Sequence, residues 1–164
     1  MIYTLTANPA IDYNVSCDGL APNTVTRTRN AVYTPNGKGL NVSFTLDHFG
    51  IPTAILGFFA GFSGRFIVEG ARERGVEVHP VWTEGTEYNM VNAGAAIDAA
   101  DEQAMFDLID GLEELDCLVI SGSLPPNASE GFLRGVIERV RARGAEFVLD
   151  ISSPQLAELL ALQP

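Results

Sequence analysis

Two kinds of apolar segment alternate along this chain. Short continuous runs rich in β-branched and aromatic residues predict strands at residues 2–6, 53–59, 76–82, 117–120 and 146–150. Longer runs with apolar residues three and four positions apart predict helices at 40–49, 65–74, 98–115, 127–143 and 153–160. Because strands and helices alternate, the pattern predicts an α/β fold whose mostly parallel sheet is covered by helices on both faces.

Single residues set several of the predicted boundaries. Gly61 and Gly64 predict a flexible turn before the second helix, and Asn127 with Glu130 has the pattern of a capping box that opens the fourth. The first helix, at 40–49, carries apolar residues around much of its circumference. We therefore expect that helix to be buried rather than to lie on the surface.

Two short alternating segments, around 13–17 and 25–34, differ from the strands of the main pattern. Turn residues separate them, so they predict a pair of antiparallel strands that forms a small lid beside the main sheet. Arg27 and Arg29 are two positions apart and would share one face of such a strand. Their charges also fit a solvated edge that discourages pairing with other strands.

Composition and charge exclude several classes of protein. The chain has 164 residues, 46% hydrophobic and 19% charged, which indicates one globular domain. Its formal net charge of -11 argues against nucleic acid or an anionic membrane surface as a partner. The N-terminus lacks a signal-peptide pattern, and no apolar run approaches the ~20 residues of a membrane span. Cys17 and Cys117 are far apart, so we expect reduced thiols in a cytoplasmic protein.

A lysine flanked by glycines is the first candidate for chemistry. Residues 36–41, Asn-Gly-Lys-Gly-Leu-Asn, lie at the start of the first predicted helix. Glycine leaves backbone N–H groups accessible, a helix amino terminus favours anions, and Lys38 adds a full positive charge. The pattern suits an anionic or hydroxyl-rich small molecule, and its spacing excludes a P-loop. The alternative is a glycine-rich turn with a solvated lysine.

Two further candidates follow predicted strand ends. Asp12 lies just beyond the first strand, and residues 121–126, Ser-Gly-Ser-Leu-Pro-Pro, follow the strand at 117–120. Ligands of open α/β sheets gather at the carboxyl ends of the strands, where a carboxylate can accept hydrogen bonds from sugar hydroxyls. A turn or capping role is the alternative for Asp12 and for Asp150, which ends the fifth predicted strand.

The remaining titratable groups receive no role. The acids of the helix at 98–115 predict a solvated face rather than a metal site. His48 and His79 lack partners at ligand spacing, so we expect no metal ligands in this chain.

Three motifs together resemble one family. They are Tyr-Thr-Leu-Thr-Ala-Asn-Pro-Ala-Ile-Asp at 3–12, Gly-Lys-Gly-Leu-Asn-Val-Ser at 37–43, and the serine-containing turn at 121–126. In this order they resemble the ribokinase-like carbohydrate kinases of the phosphofructokinase B branch, particularly its 1-phosphofructokinase and tagatose-6-phosphate kinase groups. The resemblance implies a three-layer α/β/α sandwich with a small β lid that often forms a homodimer contact. It also implies transfer of the γ-phosphoryl group of ATP, with Mg²⁺, to a sugar-phosphate hydroxyl.

By that resemblance, five residues of this chain would contact the sugar phosphate. Asp12 would hold sugar hydroxyls, and Gly37 and Lys38 would line the sugar site. Asn41 would hydrogen-bond the substrate, and Ser123 would contact its far end.

The chain departs from the family pattern around its lid. Arg27, on the lid, would reach a substrate phosphate, including one bound by a dimer partner, whereas Asn36 stands where relatives often have glycine. The family's arginine-containing lid segment is missing, since Thr86 and Glu87 are followed closely by residues 92–95, which resemble the sequence beyond it. The lid is therefore expected to be incomplete.

The carboxyl-terminal part of the family pattern is also absent, because the sequence ends at Pro164. Two motifs would follow that position in the family. One is Asn-x-x-Glu, which tunes Mg²⁺, and the other is Gly-Ala-Gly-Asp, which supplies the catalytic aspartate and much of the ATP site. By the resemblance, the catalytic aspartate is expected beyond Pro164, so no residue of this chain receives a catalytic role.

The resulting prediction for residues 1–164 is the amino-terminal, sugar-binding part of a kinase domain. The expected reaction is phosphorylation of fructose 1-phosphate at its 6-hydroxyl, which gives fructose 1,6-bisphosphate. Tagatose-6-phosphate kinase and 6-phosphofructokinase are alternatives, and a noncatalytic sugar-phosphate-binding module is an alternative of another class. We expect the chain alone to be inactive or nearly so, because phosphoryl transfer depends on the absent groups.

Overall fold

The computed structural model describes residues 1–84 and 95–161. Two predictions lie outside these residues: the loss of lid strands around 86–94, and the place of the catalytic aspartate beyond Pro164. No helix in the described ranges combines the length and apolar character needed to cross a membrane. The elements in these ranges are, in chain order, β1 (Ile2–Thr6), β2 (Ala10–Ser16), β3 (Arg29–Asn36), α1 (Lys38–His48), β4 (Thr53–Phe59), α2 (Gly61–Glu73), β5 (Glu77–Trp82), α3 (Ala99–Asp110), β6 (Cys117–Gly122), α4 (Phe132–Ala142), β7 (Glu146–Ile151) and α5 (Leu156–Leu160).

A parallel sheet with the strand order β5-β4-β1-β6-β7 forms the middle layer. Every residue of β4 is buried, as expected for a strand covered on both faces. Alternate residues of β4 enter two separate buried clusters: Ile55 and Phe59 pack with α1 and α2, whereas Leu56 and Phe58 pack with α3 and α4. The predicted three-layer α/β/α fold is therefore confirmed.

β2 and β3 form a separate antiparallel pair, the lid hairpin. β2 begins at Ala10, so Asp12 lies inside a lid strand, and the turn role that was the alternative for it is wrong. β3 begins only at Arg29, so Arg27 lies outside both strands and the predicted shared face of the two arginines is wrong. The register explains this: Ser16, the last residue of β2, pairs with Arg29, so β2 has no residue left to pair with Arg27.

Glycines and turns explain two boundary differences. α2 begins at Gly61, so the turn predicted from Gly61 and Gly64 is wrong. A Cβ atom at Gly64 would lie 3.0 Å from Cβ of Phe59, so glycine allows α2 to pack closely on the end of β4. The predicted capping box at Asn127 does not form, because Asn127 has a left-handed φ of 64° and α4 begins only at Phe132.

Helix α1 buries one face rather than most of its circumference. Its buried residues are Gly39, Leu40 and Ser43. Ser43 Oγ lies 2.8 Å from Thr4 Oγ1 and 2.9 Å from Thr53 Oγ1, so hydroxyl hydrogen bonds join the helix to β1 and β4. The predicted burial is therefore wrong, because small and polar residues make much of this contact.

Helix α3 ends at Asp110, before the predicted residue 115. Its Glu102 is only 8% exposed, so the predicted solvated face is wrong for this residue. The Glu102 carboxylate accepts hydrogen bonds from the backbone N–H of Ser129 at 2.6 Å and from its hydroxyl at 2.8 Å. Glu102 therefore ties α3 to the turn before α4.

Candidate functional site

The candidate site lies at the carboxyl edge of the parallel sheet. β1 occupies the centre, with β4 and β5 on one side and β6 and β7 on the other. Where strand order changes direction in an open α/β sheet, a crevice forms at the carboxyl ends and ligands bind there. The segments that follow β1, β6 and β7 meet the amino end of α1 at this edge.

Two glycines allow α1 to start against the end of β1. Gly37 precedes the helix with a φ of 148°, and a Cβ atom there would lie 2.7 Å from Thr6 Cγ2. A Cβ atom at Gly39 would overlap Thr6 Oγ1 and lie 3.0 Å from the Leu5 carbonyl oxygen. α1 has no side-chain cap, so no side chain of its own N-cap residue occupies the positive dipole end of the helix at this edge.

Lys38, the only lysine in the sequence, begins α1. Its side chain lies against Gly122, where a Cβ atom would be 3.7 Å from Lys38 Cβ. The Lys38 Nζ atom lies 3.8 Å from Asp150 Oδ2, and the two side chains are 57% and 64% exposed. Lys38 therefore contacts the ends of β6 and β7, and its ammonium group remains accessible to a ligand.

Asn36 organises the residues around this lysine. Its Oδ1 atom accepts hydrogen bonds from the Gly37 backbone N–H and from Asn41 Nδ2, both at 2.7 Å. Because Asn41 donates through its side-chain nitrogen, its side-chain oxygen Oδ1 is left to accept a hydrogen bond from a ligand hydroxyl. From the sequence, Asn36 was only a departure from the glycine that relatives often have, and this role was not predicted. Its place directly before Gly37 was the available signal.

A second asparagine links the segments that follow β1 and β6. Asn8 Nδ2 donates a hydrogen bond to Ser123 Oγ at 3.0 Å. Ser123 was predicted as a site residue, whereas Asn8 was not. The signal for Asn8 was its place just after the first strand, equivalent to the place of Ser123 after β6.

The lid hairpin brings Asp12 to this region and leaves Arg27 apart. Asp12 pairs with Thr34, and Ala10 pairs with Asn36. Thr34 and Asn36 are two residues apart on β3, so Asp12 and Asn36 lie on the same face of the hairpin as diagonal neighbours. Asp12 is exposed and can meet a ligand. Arg27 lies in the exposed connection between β2 and β3, and no described contact joins it to the carboxyl edge.

The described residues do not by themselves form the Mg²⁺ site that the family resemblance implies. Across residues 1–84 and 95–161, no three His, Cys, Asp or Glu side chains cluster in a way that could hold a metal ion. The two carboxylates placed near the edge, Asp12 and Asp150, belong to the lid hairpin and to β7, respectively. Beside these carboxylates, Lys38 supplies a positive charge and Asn41 and Ser123 supply neutral polar side chains.

Residues 2–164 match the family described as pfkB family carbohydrate kinase. The chain belongs to this family. It is 44% identical to D-tagatose-1-phosphate kinase of Klebsiella oxytoca, over 100% of this chain and 58% of the relative. It is 29% identical to 1-phosphofructokinase of Bacillus subtilis, again over 100% of this chain and 58% of the relative.

A solved structure supports the same relationship. Phosphofructokinase-2 from Escherichia coli, in complex with fructose-6-phosphate, superposes with a TM-score of 0.87 at 27% identity, over 98% of this chain and 58% of that chain. The predicted ribokinase-like family and fold are confirmed, and the family consists of phosphotransferases with an alcohol group as acceptor.

The matched relatives are longer than this chain, which spans about 58% of the length of the two curated ones. The family match itself extends to Pro164, the last residue of the sequence. The expected place of the catalytic aspartate, beyond Pro164, stays a prediction, as does the absence of a catalytic residue from residues 1–164.

Proposed function

We propose that this chain provides the sugar-phosphate-binding part of an ATP-dependent kinase that acts on a ketohexose 1-phosphate. The substrate expected from the sequence is fructose 1-phosphate, phosphorylated at its 6-hydroxyl to give fructose 1,6-bisphosphate. The names of two relatives, a D-tagatose-1-phosphate kinase and a 1-phosphofructokinase, support a sugar that carries phosphate on its first carbon. Fructose and tagatose differ in the configuration of a single carbon, so both 1-phosphates are substrates to test.

The observation that carries this proposal is the meeting of Lys38, Asn41 and Ser123 at one edge of the sheet. Lys38 and the uncapped amino end of α1 provide positive charge and N–H donors, which suit a phosphate group. Gly37 has no side chain that would cover this edge, and its own N–H is held by Asn36 Oδ1. The side-chain oxygen of Asn41 and the Asp12 carboxylate are acceptors for sugar hydroxyls. The Ser123 hydroxyl can donate or accept.

Phosphoryl transfer requires groups beyond this set. It depends on positioning the acceptor hydroxyl, neutralising phosphate charge, and orienting or deprotonating that hydroxyl. ATP with Mg²⁺ would supply the phosphoryl group and part of the charge neutralisation, whereas the described residues would bind and orient the sugar. Loss of a catalytic base alone commonly slows a reaction by about 10²–10⁴-fold. We therefore expect the 164 residues alone to bind the sugar phosphate with little or no transfer.

We further propose that the lid hairpin meets a second copy of the chain. Tyr13 and Tyr33 are direct partners in the hairpin, and their rings stack at 4.7 Å. These side chains are nevertheless 54% and 57% exposed, and exposed aromatic pairs are typical of protein interfaces. In such a dimer Arg27 would contact a phosphate in the partner's site. Tyr33→Glu should therefore abolish dimers in sedimentation experiments, and an unchanged sedimentation coefficient contradicts this arrangement.

Binding and transfer can be tested separately. Calorimetric titration measures binding of five ligands: fructose 1-phosphate, tagatose 1-phosphate, fructose 6-phosphate, tagatose 6-phosphate and free fructose. At least one 1-phosphate should bind about tenfold more tightly than the 6-phosphates and free fructose. Preference for a 6-phosphate would favour the alternative kinases, and binding of none would contradict the site. A coupled assay with ATP and Mg²⁺ should give little or no turnover, so robust turnover would contradict the expected inactivity. If a protein of the relatives' full length that contains this chain binds a 1-phosphate without turnover, the noncatalytic sugar-phosphate-binding module is favoured over the kinase.

A further inference from the structure

A groove at the opposite, amino edge of the sheet takes no part in the site described above. It has a volume of about 520 Å³ and is lined by the amino ends of β1 and β5 and the end of α3. The strand register explains the space: Tyr3 and Glu77 lie in one row with only Ala54 between them. Tyr3 and Ala54 belong to the buried cluster beneath α3 and α4, so this row lies on the face that α3 covers.

Carboxylates dominate the lining of this amino-edge groove. Glu77 on β5 and Glu113 and Glu114, just after α3, all line it. Asp107 is a fourth acid, and its Oδ1 atom accepts a hydrogen bond from Gln103 Nε2 at 2.7 Å. These side chains give the groove a negatively charged lining, which favours a positively charged ligand.

The positive groups near the groove already have partners. The Arg143 guanidinium donates to the carbonyl oxygens of Asp110 and Leu112, at the end of α3. The amino group of Met1 pairs with the carboxylate of Asp116. Neither group forms a described ion pair with the three glutamates. Among the described residues, the ion-pair partner of Glu77 is His79, whose Nε2 lies 3.3 Å from Glu77 Oε1.

Tyr3 provides an independent indication of a ligand. It is only 5% exposed, it lines the groove, and its hydroxyl makes no hydrogen bond with the described residues. Burial raises the pKa of Tyr3, and the charges of Glu77, Glu114 and Glu113 raise it further, so the phenol lies within their negative field. The His79 ring lies 6.0 Å from that of Tyr3. Its Nε2 is buried without a hydrogen bond, although Glu77 Oε1 is 3.3 Å away.

We propose that the amino-edge groove binds a small organic cation, a primary ammonium group on a short alkyl chain. Glu77 and Glu114 would pair with the ammonium group, and the Tyr3 hydroxyl would accept one of its hydrogen bonds. The rings of Tyr3 and His79 would flank the alkyl part and attract the positive charge. A metal ion is a poorer fit, because the described part of the chain has no cluster of three ligating side chains that could hold one. This site is independent of the proposed kinase function.

The test uses the whole chain and putrescine, a four-carbon diamine, with the corresponding diol as an uncharged control. Nuclear magnetic resonance should record saturable shifts at Tyr3, His79 and Gly111 with the diamine and none with the diol. Combined Glu77→Gln and Glu114→Gln substitutions should weaken binding about tenfold, the joint effect of two exposed ion pairs. Tyr3→Phe, which removes one neutral hydrogen-bond partner, should weaken binding about threefold.

A matched control separates this groove from the overall negative charge of the chain. Asp47→Asn with Glu73→Gln removes the same charge from α1 and α2, on the other face of the sheet. This pair should change diamine binding by less than about twofold, because salt screens distant charges. Equal weakening by both pairs, shifts spread over the acidic surface, or no saturable shift would each overturn the proposal. Should the groove double variant fail to fold, Tyr3→Phe against the same control pair decides.

Discussion

The two edges of the same parallel sheet carry opposite chemistry. At the carboxyl edge, Gly37 and Gly39 let the amino end of α1 and its lysine lie against β1. At the amino edge, the small side chain of Ala54 leaves a groove where Glu77 lies near the buried Tyr3. A chain with a net charge of -11 can therefore present a positive charge at one edge of its sheet, because local backbone geometry and one lysine decide the charge there.

The largest effect on the carboxyl edge is expected from a substitution that fills the space between α1 and β1. In Gly39→Ala the new Cβ would overlap Thr6 Oγ1 and lie 3.0 Å from the Leu5 carbonyl oxygen. Such overpacking should lower the free energy of unfolding by about 3 kcal/mol in urea titrations and weaken sugar-phosphate binding. In the control Gly131→Ala, the atom nearest to the new Cβ is Ser129 Oγ at 3.9 Å, so little should change. Equal stability of the two variants would contradict the close approach.

The next effect should come from the charge of the carboxyl edge. Lys38→Met keeps most of the side-chain length and removes the only lysine. Sugar 1-phosphate affinity should fall about 30-fold in calorimetry, since hydrogen bonds to charged groups contribute about 1.5–3 kcal/mol. Diamine binding at the amino edge should be unchanged. Arg134→Met, on the exposed side of α4, is the control. An equal loss in that variant would show that overall charge, rather than this site, holds the anion.

The reactivity of the two cysteines tests the burial of the amino edge of the sheet. Cys117 begins β6, and burial, together with the charges of Glu146 and Asp116, raises the pKa of its thiol. Cys17 is exposed in the connection after β2. At about pH 8 a smaller fraction of Cys117 than of Cys17 should be thiolate, so Cys117 should react with iodoacetamide about tenfold more slowly than Cys17. The difference between the two rates should narrow as the pH rises. Peptide mass spectrometry measures both rates, which should converge in urea. Faster reaction of Cys117 in the folded chain would contradict this.

The smallest expected effect concerns the order of the carboxyl edge. Asn36→Gly removes the acceptor that holds the Gly37 N–H and the Asn41 amide. Sugar 1-phosphate affinity should fall about fivefold in the same titrations, because a neutral hydrogen bond contributes about 0.5–1.5 kcal/mol. Asn23→Gly is the control, since Asn23 lies in the lid connection with a φ of 59° that glycine accepts readily. Similar losses in both variants would remove the organising role of Asn36.

The parallel core could be predicted from the sequence because burial on both faces leaves a direct mark. β1 and β4 have the bounds that their apolar runs predict, Ile2–Thr6 and Thr53–Phe59. The lysine motif was equally local, since its glycines, its charge and the following helix all lie within a few residues. Its placement at the carboxyl edge then followed from general properties of open α/β sheets.

Features that depend on contacts between distant segments could not be predicted. Glu102 has the pattern of a solvated helix residue, and only the fold brings Ser129 to its carboxylate. At the site, Asn8 contacts a serine that is 115 positions away in the sequence, so no local pattern could pair them.

The most direct test of the carboxyl-edge site uses the fact that Lys38 is the only lysine in the chain. A chain with isotopically labelled lysine should therefore give a single side-chain signal in nuclear magnetic resonance. We expect this signal to shift saturably when fructose 1-phosphate or tagatose 1-phosphate is added and to stay unchanged with free fructose. A signal that does not move at high 1-phosphate concentration, or that moves equally with free fructose, would contradict the assignment of this edge as a sugar-phosphate site.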